Sequence, residues 1–211
     1  MRLIRKGAEA ELYSGFWHDL KVVKKIRKAK SYRIAHLDFA IRHSRTRREA
    51  QMIHDAKRAG VQTPFIYMVS IEATIILMQY IEGPRLREVL DTFDPSVRRS
   101  LCKHIGLLIG RLHNYGIIHG DLTTSNMIFI GNNNVFFIDF GLAEYSKELE
   151  KRGVDLFLMR RSLYATHYLC AKDCFYAIVE GYTYEMGRSI ADDVLERVNE
   201  ITKRGRYAIE R

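Results

Sequence analysis

Apolar and polar positions recur along the chain with two different periods. Over the first third the period is two. Glu11-Leu-Tyr-Ser-Gly-Phe-Trp17 and Lys21-Val-Val-Lys-Lys-Ile26 predict strands, as do Ile66-Tyr-Met-Val69 and the β-branched run Thr74-Ile-Ile-Leu-Met-Gln-Tyr80. One helix, from about Leu37 to Ala59, interrupts them and is stopped by Gly60 and Pro64. Beyond Asp94 the period becomes helical. Asp94-Pro95 supplies a cap and a first-turn proline, Val97, Leu101, Ile105, Leu108 and Leu112 form a core-facing stripe, and Gly116 ends the helix. Met127-Ile-Phe-Ile130, the turn Gly131-Asn-Asn-Asn134 and Val135-Phe-Phe-Ile-Asp139 predict a short hairpin. Helices are expected over 154–170, 173–187 and 190–203, with Ile190, Val194, Leu195, Val198 and Ile201 on the core side of the last.

Composition narrows the class. The chain has 211 residues, 47% of them apolar, without repeat or low-complexity linker, so one compact unit is expected. No apolar run reaches the length of a membrane span and Met1-Arg-Leu-Ile-Arg-Lys6 has no signal core, which points to a cytoplasmic protein without a membrane partner. Cys102, Cys170 and Cys174, an odd set, read as buried apolar thiols rather than a disulfide framework. The net charge of +9 favours polyanionic partners: nucleic acid, nucleotide or an acidic protein surface.

The chemistry concentrates in His119-Gly-Asp-Leu-Thr-Thr-Ser-Asn126 followed by Asp139-Phe-Gly141. Phosphoryl transfer needs an acceptor oxygen held in line, metal ions on the phosphates and neutralised charge, with little covalent help. Asp121 can orient or deprotonate the acceptor. Asn126 and Asp139 offer the oxygen ligands that Mg2+ prefers, and the hairpin between them returns the second to the first. Asp155 is expected to open a helix and brace the Asp121 loop; His119 is expected to pack and hydrogen-bond beneath it. The order of these motifs resembles that of protein kinases, and the resemblance implies further roles. Lys24 and Lys25 compete for the pairing of ATP phosphates, since alternation along a strand brings only one of them into a cleft; Glu49, on the long helix, would hold that lysine; and Met78 would stand at the back wall, with Gln79 and Ile81 offering backbone groups to adenine.

The order of these motifs resembles the protein-kinase signature, in which a catalytic loop H-R-D-x-x-x-x-N precedes D-F-G. Its implied fold is α+β: a minimal bilobal protein-kinase-like fold in one domain over 1–211, with a strand-rich N-lobe (1–80), a reduced helical C-lobe (81–202) and a basic tail (203–211). The departures are specific. The glycine-rich loop retains one glycine in Gly7-Ala-Glu-Ala10, Gly120 replaces the usual arginine, and the activation segment is cut short before Val154-Asp155 with no A-P-E. Together with Lys30-Ser-Tyr-Arg33, Arg45-Thr-Arg-Arg-Glu-Ala50, Ile81-Glu-Gly83, Gly153-Val-Asp-Leu156 and Arg204-Gly-Arg206, they resemble the small atypical kinases of the KEOPS complex, the PRPK-like family, over nearly the whole chain. The family's loop-to-lysine distance, eighteen residues from Gly7, selects Lys25 over Lys24. The resemblance implies an ATP-binding site including Gly7, Ala8, Glu9 and Ala10, and an enzyme that can autophosphorylate on serine or threonine. It also implies an ATPase supporting threonylcarbamoyladenosine formation in tRNA, beside a metal-dependent threonylcarbamoyltransferase subunit and a small regulatory subunit. The short ending after Arg204-Gly-Arg206 is in the archaeal style. Lys203, Arg204 and Arg206 are the expected RNA contacts, with Lys21–Arg33, seven basic residues and no acid, the other basic stretch. Two other readings stand beside this one: a free-standing serine/threonine kinase of the RIO type, and a pseudokinase scaffold without turnover.

Overall fold

A computed structural model of the chain describes residues 1–207. Five antiparallel strands form one sheet in the order β1-β2-β3-β5-β4, with β1 at Arg2–Lys6, β2 at Glu11–Trp17, β3 at Leu20–Ile26, β4 at Ile66–Ser70 and β5 at Ile75–Gln79. The helix α1, Ala35–Arg58, lies against β4 and β5 of this sheet, and its Met52, Ile53 and Ala56 are buried in the main hydrophobic core. Residues 95 onward build the helical part: α3 (Pro95–Tyr115), α4 (Leu149–Thr166), α5 (Ala171–Met186) and α6 (Arg188–Tyr207), preceded by the one-turn α2 (Leu86–Val89). Between the two parts lie the hairpin of β7 (Met127–Phe129) and β8 (Val135–Phe137) and the small pair of β6 (Ile117–Ile118) and β9 (Glu144–Tyr145). The architecture is the expected α+β arrangement.

The core of the helical part forms where α3 meets α5. Gly106 and Gly181 make this contact possible: a methyl group on Gly106 would collide with the Ile178 carbonyl, and one on Gly181 with the Lys103 carbonyl. The two backbones therefore touch directly, as small residues allow. Leu101, Ile105, Leu108 and Leu112 are buried as the stripe requires, but Val97, one turn earlier, is 44% exposed. Val194 and Val198 anchor α6, while Ile190 lies at the surface. All three cysteines are buried free thiols.

Four differences from the sequence expectations have physical reasons. The strand β1 was not foreseen, because all five of its residues are exposed and it exists through pairing with β2. The helix α4 begins at Leu149, not at 154, and continues through Gly153. There the missing side chain admits Arg197 of α6, whose Cβ would stand 2.7 Å from a Cβ at Gly153. Asp155 is consequently an interior residue of α4 and not its opening. Finally, α6 does not stop at 203 but runs to Tyr207, helped by Arg204, which pairs with Glu200 at 3.3 Å and Glu150 at 2.9 Å. Lys203 and Arg204 are thus helical; Arg211, at the end of the expected tail, lies outside the described residues.

Candidate active site

The site begins with β3. Alternation sends Val23, Lys25 and Arg27 to one face, and that face is covered by α1. Lys25 is buried, its Nζ 2.6 Å from Glu49 Oε1 of α1 and 2.7 Å from Asp139 Oδ1. Burial alone would lower its pKa, but the Glu49 and Asp139 carboxylates outweigh burial and hold it above the ordinary value. Glu49 is shared: its Oε2 accepts from Arg27 Nη2 at 2.5 Å. Arg27, which the sequence reading did not single out, is legible afterwards as the residue two positions beyond Lys25, hence on the same face.

The hairpin delivers the second half. The side-chain amide of Asn126 donates to the Asp121 carbonyl at 2.9 Å and to Asp121 Oδ2 at 2.8 Å. With its nitrogen so committed, the oxygen of that amide is left as a ligand. Ile138 N–H donates to the Asn126 carbonyl at 2.9 Å, so the strand ends meet. Asp139 follows with φ at 63°, a left-handed backbone unusual for a residue with a side chain and of the kind that functional sites retain. Burial would raise the Asp139 pKa; Lys25 beside it, helped by Arg5, lowers it below the usual carboxylate range. The donor set is therefore one charged carboxylate and one amide oxygen, both hard ligands suited to Mg2+. Among the described residues no cluster of three or more acidic, histidine or cysteine side chains could hold a metal by itself; an ion held by these two residues would take the rest of its shell from water or ligand oxygens.

Beneath Asp121 the loop is held by backbone. Asp155 accepts from the N–H groups of His119 at 2.6 Å and Gly120 at 2.8 Å, and faces His113 Nε2 at 3.3 Å. His119 Nε2 lies 3.2 Å from the Ile138 carbonyl, and its Nδ1 accepts from Asp121 N–H at 3.3 Å. Those partners fit only the neutral ring protonated on Nε2. Burial lowers the His119 pKa in spite of the carboxylates of Asp155, Asp139 and Asp121. Gly120 explains its own departure from the kinase pattern: φ is 78°, and a Cβ would stand 2.6 Å from the Leu142 carbonyl oxygen. From behind, His167 of the α4–α5 turn joins Thr124 Oγ1 at 3.3 Å to Asp91 Oδ2 at 2.9 Å.

A cavity of about 760 Å³ opens over these groups and is lined by Lys25, Glu49, Met78, Gln79, Ile81, Asn126 and Asp139. Arg5, Arg85, Arg87 and Glu88 also line it and were missed by the sequence reading. Asp121 stands behind Asn126 and does not line it, nor do Gly7, Ala8, Glu9 and Ala10. Those four form a turn closed by Gly7 N–H to the Ala10 carbonyl at 2.9 Å. The Ala8 carbonyl accepts from Lys30, and Glu9 pairs with Arg45 of α1 and, at 3.7 Å, with Arg33. Gln79 spends its N–H on the Phe65 carbonyl at 2.8 Å, which leaves its carbonyl as the backbone group for a ligand. Lys203 and Arg204 sit on α6, which also carries position 206, and do not line the cavity.

Comparison with known proteins places the chain in a family. Residues 3–175 match the protein kinase domain family model. The chain is 42% identical to the KEOPS complex subunit Bud32 of Pyrococcus abyssi (strain GE5 / Orsay), over 98% of this chain and 96% of the relative. It is 44% identical to a probable bifunctional tRNA threonylcarbamoyladenosine biosynthesis protein of Methanothermobacter thermautotrophicus, over 97% of this chain and 36% of the relative. The corresponding protein of Methanobrevibacter smithii is 41% identical, again across 36% of its length. The chain thus spans nearly all of the first relative and about a third of the bifunctional ones. It belongs to the protein kinase domain family and, within it, to the group formed by Bud32 and the matching part of these bifunctional proteins.

Proposed function

We propose that the protein is an ATP-dependent phosphotransferase and ATPase that serves as a KEOPS subunit and supports threonylcarbamoyladenosine formation in tRNA. The observation that carries this reading is the ion chain Asp139–Lys25–Glu49 lining one cavity together with Asn126, whose side-chain amide holds Asp121. Lys25 holds the α- and β-phosphates and Glu49 holds Lys25. Asn126 and Asp139 hold Mg2+, which when bound neutralises phosphate charge. Asp121, fixed by Asn126 and by the loop on Asp155, orients the acceptor hydroxyl or water and receives its proton. Met78 backs the adenine, Gln79 and Ile81 offer it backbone groups, and the Gly7–Ala10 turn covers the phosphates.

Only nine residues separate Asp139 from the start of α4, which leaves no platform for a peptide. Positioning supplies most of this catalysis, so a partner subunit is expected to provide it, and activity on generic peptides, as well as on the chain's own serines and threonines, is expected to be slow. The partners proposed are the threonylcarbamoyltransferase subunit, a small regulatory subunit and tRNA, the last reached by Lys203, Arg204 and Arg206, in a cytoplasmic assembly. No helix among the described residues is long and apolar enough to cross a membrane. The decisive experiment is Mg2+-dependent ATP hydrolysis by the purified chain. Asp139→Asn and Asp121→Ala should each lower turnover by at least about a hundredfold, the scale of a lost acid–base group; wild-type turnover in Asp139→Asn would refute the reading. For the tRNA contact, truncation after residue 202 should weaken RNA binding and flatten its salt dependence, and identical salt curves would remove α6 from that role.

A further inference from the structure

The strand β1 carries an irregularity that aims one charge. Leu3 faces Tyr13 of β2 and Arg5 faces Leu12, so β1 runs two residues where β2 runs one, and Ile4 is the extra residue. Successive residues of a regular strand point to opposite faces. Here the bulge turns Ile4 and Arg5 to the same cavity, which they line with Leu12, Val23, Lys25 and Asp139. Bulges re-aim side chains in this way beside active sites. The Arg5 side chain is exposed. The acids of this region are paired elsewhere: Asp139 with Lys25, Glu9 with Arg45 and Arg33, and Glu11 with the Tyr13 hydroxyl. The charge of Arg5 nevertheless reaches Asp139, at the phosphate end of the proposed site.

Its place in the sequence matters as much as its aim. With Gly7 as the middle glycine of G-x-G-x-x-G, the first and third positions fall on Arg5 and Ala10. In that pattern the loop lies over the phosphates, and glycine lets main-chain N–H groups approach an anion closely. The turn in this chain can cover phosphates but has less to offer them. Gly7 N–H is bonded to the Ala10 carbonyl at 2.9 Å, and Lys30 draws off the Ala8 carbonyl. Glu9 adds a negative charge, and none of the four residues Gly7 to Ala10 lines the cavity. A guanidinium at the first position stays charged at any working pH and offers several donors in one plane, a match for phosphate oxygens. We propose that Arg5 binds the phosphates of the nucleotide and so replaces, with one side chain of β1, the backbone donors of a glycine-rich loop. This inference rests on the reading of the cavity as an ATP site.

The test compares ATP with adenosine, which has no phosphate for Arg5 to meet. Binding of each to the purified protein is measured by titration calorimetry at fixed salt with Mg2+ present, for the wild type, Arg5→Met, Arg5→Gly and Lys6→Met. Arg5→Met should lower the preference for ATP over adenosine about tenfold, the size of one hydrogen bond between charged groups, with adenosine affinity unchanged. Arg5→Gly should lose as much, because one restored glycine does not rebuild the loop. Lys6 is the next residue of the strand, exposed and outside the cavity lining. Its charge is screened by solvent, so Lys6→Met should keep the wild-type ratio to within about twofold. Three results would overturn the proposal. A wild-type ratio in Arg5→Met would mean no contact, a higher ratio in Arg5→Gly would mean that Arg5 obstructs the phosphates, and an equal loss in Lys6→Met would mean a diffuse field rather than a binding residue. A wild-type protein with no preference for ATP would instead sink the ATP site itself, so the two readings fail separately.

Discussion

Glu49 and Asp155 are both almost wholly buried carboxylates, at 1% and 0% exposure, and both hold the site together, yet by opposite means. Glu49 is satisfied by side chains: two long cations, Lys25 of β3 and Arg27 just beyond its end. Asp155 is satisfied chiefly by backbone, the N–H groups of His119 and Gly120, with His113 closing the third side. A carboxylate bonded to main chain fixes a loop, because the donors cannot leave without the loop leaving too. A carboxylate bonded to flexible ammonium and guanidinium groups fixes a helix while permitting those groups other work. The helical part thus supplies the frame and the strand-rich part the movable charges.

The largest effect expected from breaking this contrast is in Asp155→Ala. It strands two buried N–H groups and should cost on the order of 3–5 kcal/mol of unfolding free energy, read from urea midpoints; a loss below about 1 kcal/mol would mean that the loop holds its shape without the carboxylate. Glu49→Gln should lower stability less, by about 2 kcal/mol, yet lower ATP turnover at least about tenfold by the loss of positioning. Equal damage to stability from the two variants would erase the distinction between frame and movable charge.

A smaller effect lies in the pH dependence. Burial depresses the His119 pKa in the folded state below its ordinary value of 6.5. The unfolded chain therefore takes up this proton first on acidification. The stability tied to His119 is complete above pH 6.5 and is lost as pH falls from there toward the depressed folded value. His119→Gln should flatten the fall of thermal midpoint between pH 7.5 and 5.5; an unchanged slope in the variant would assign the fall to other groups. The smallest effect is at the rim. Glu9 and Arg45 are well exposed in their pair, so Glu9→Gln should shift stability by less than about 0.5 kcal/mol. A larger shift in urea midpoint would show the Gly7–Ala10 turn to be part of the frame.

The sequence made four of the five sheet strands, the hairpin and most helices legible because their signals are local: β-branched runs, Asn-rich turn chemistry, a Pro at the start of α3 and Gly116 at its end. Position within the site was less legible where contact decides it. The helix α4 starts five residues earlier than expected and runs through Gly153, whose missing side chain admits Arg197, a contact that local signals do not carry. The support that Asp155 gives the Asp121 loop followed from motif order, but its place inside α4 did not. Arg27 sits two residues from Lys25, yet neither its burial nor its bond to Glu49 can be read without knowing that α1 covers that face. Arg5, Arg85 and Arg87 belong to segments far apart in the chain that meet only at the cavity.

The contact of α3 with α5 has a mechanical consequence. Where Gly106 and Gly181 bring two main chains together, neither helix can slide or roll on the other, since each such step drives a neighbouring residue's Cβ into the opposing carbonyls. The pair behaves as a single stiff ply. Its amides should share one slow hydrogen-exchange rate and open only when the whole helical part unfolds.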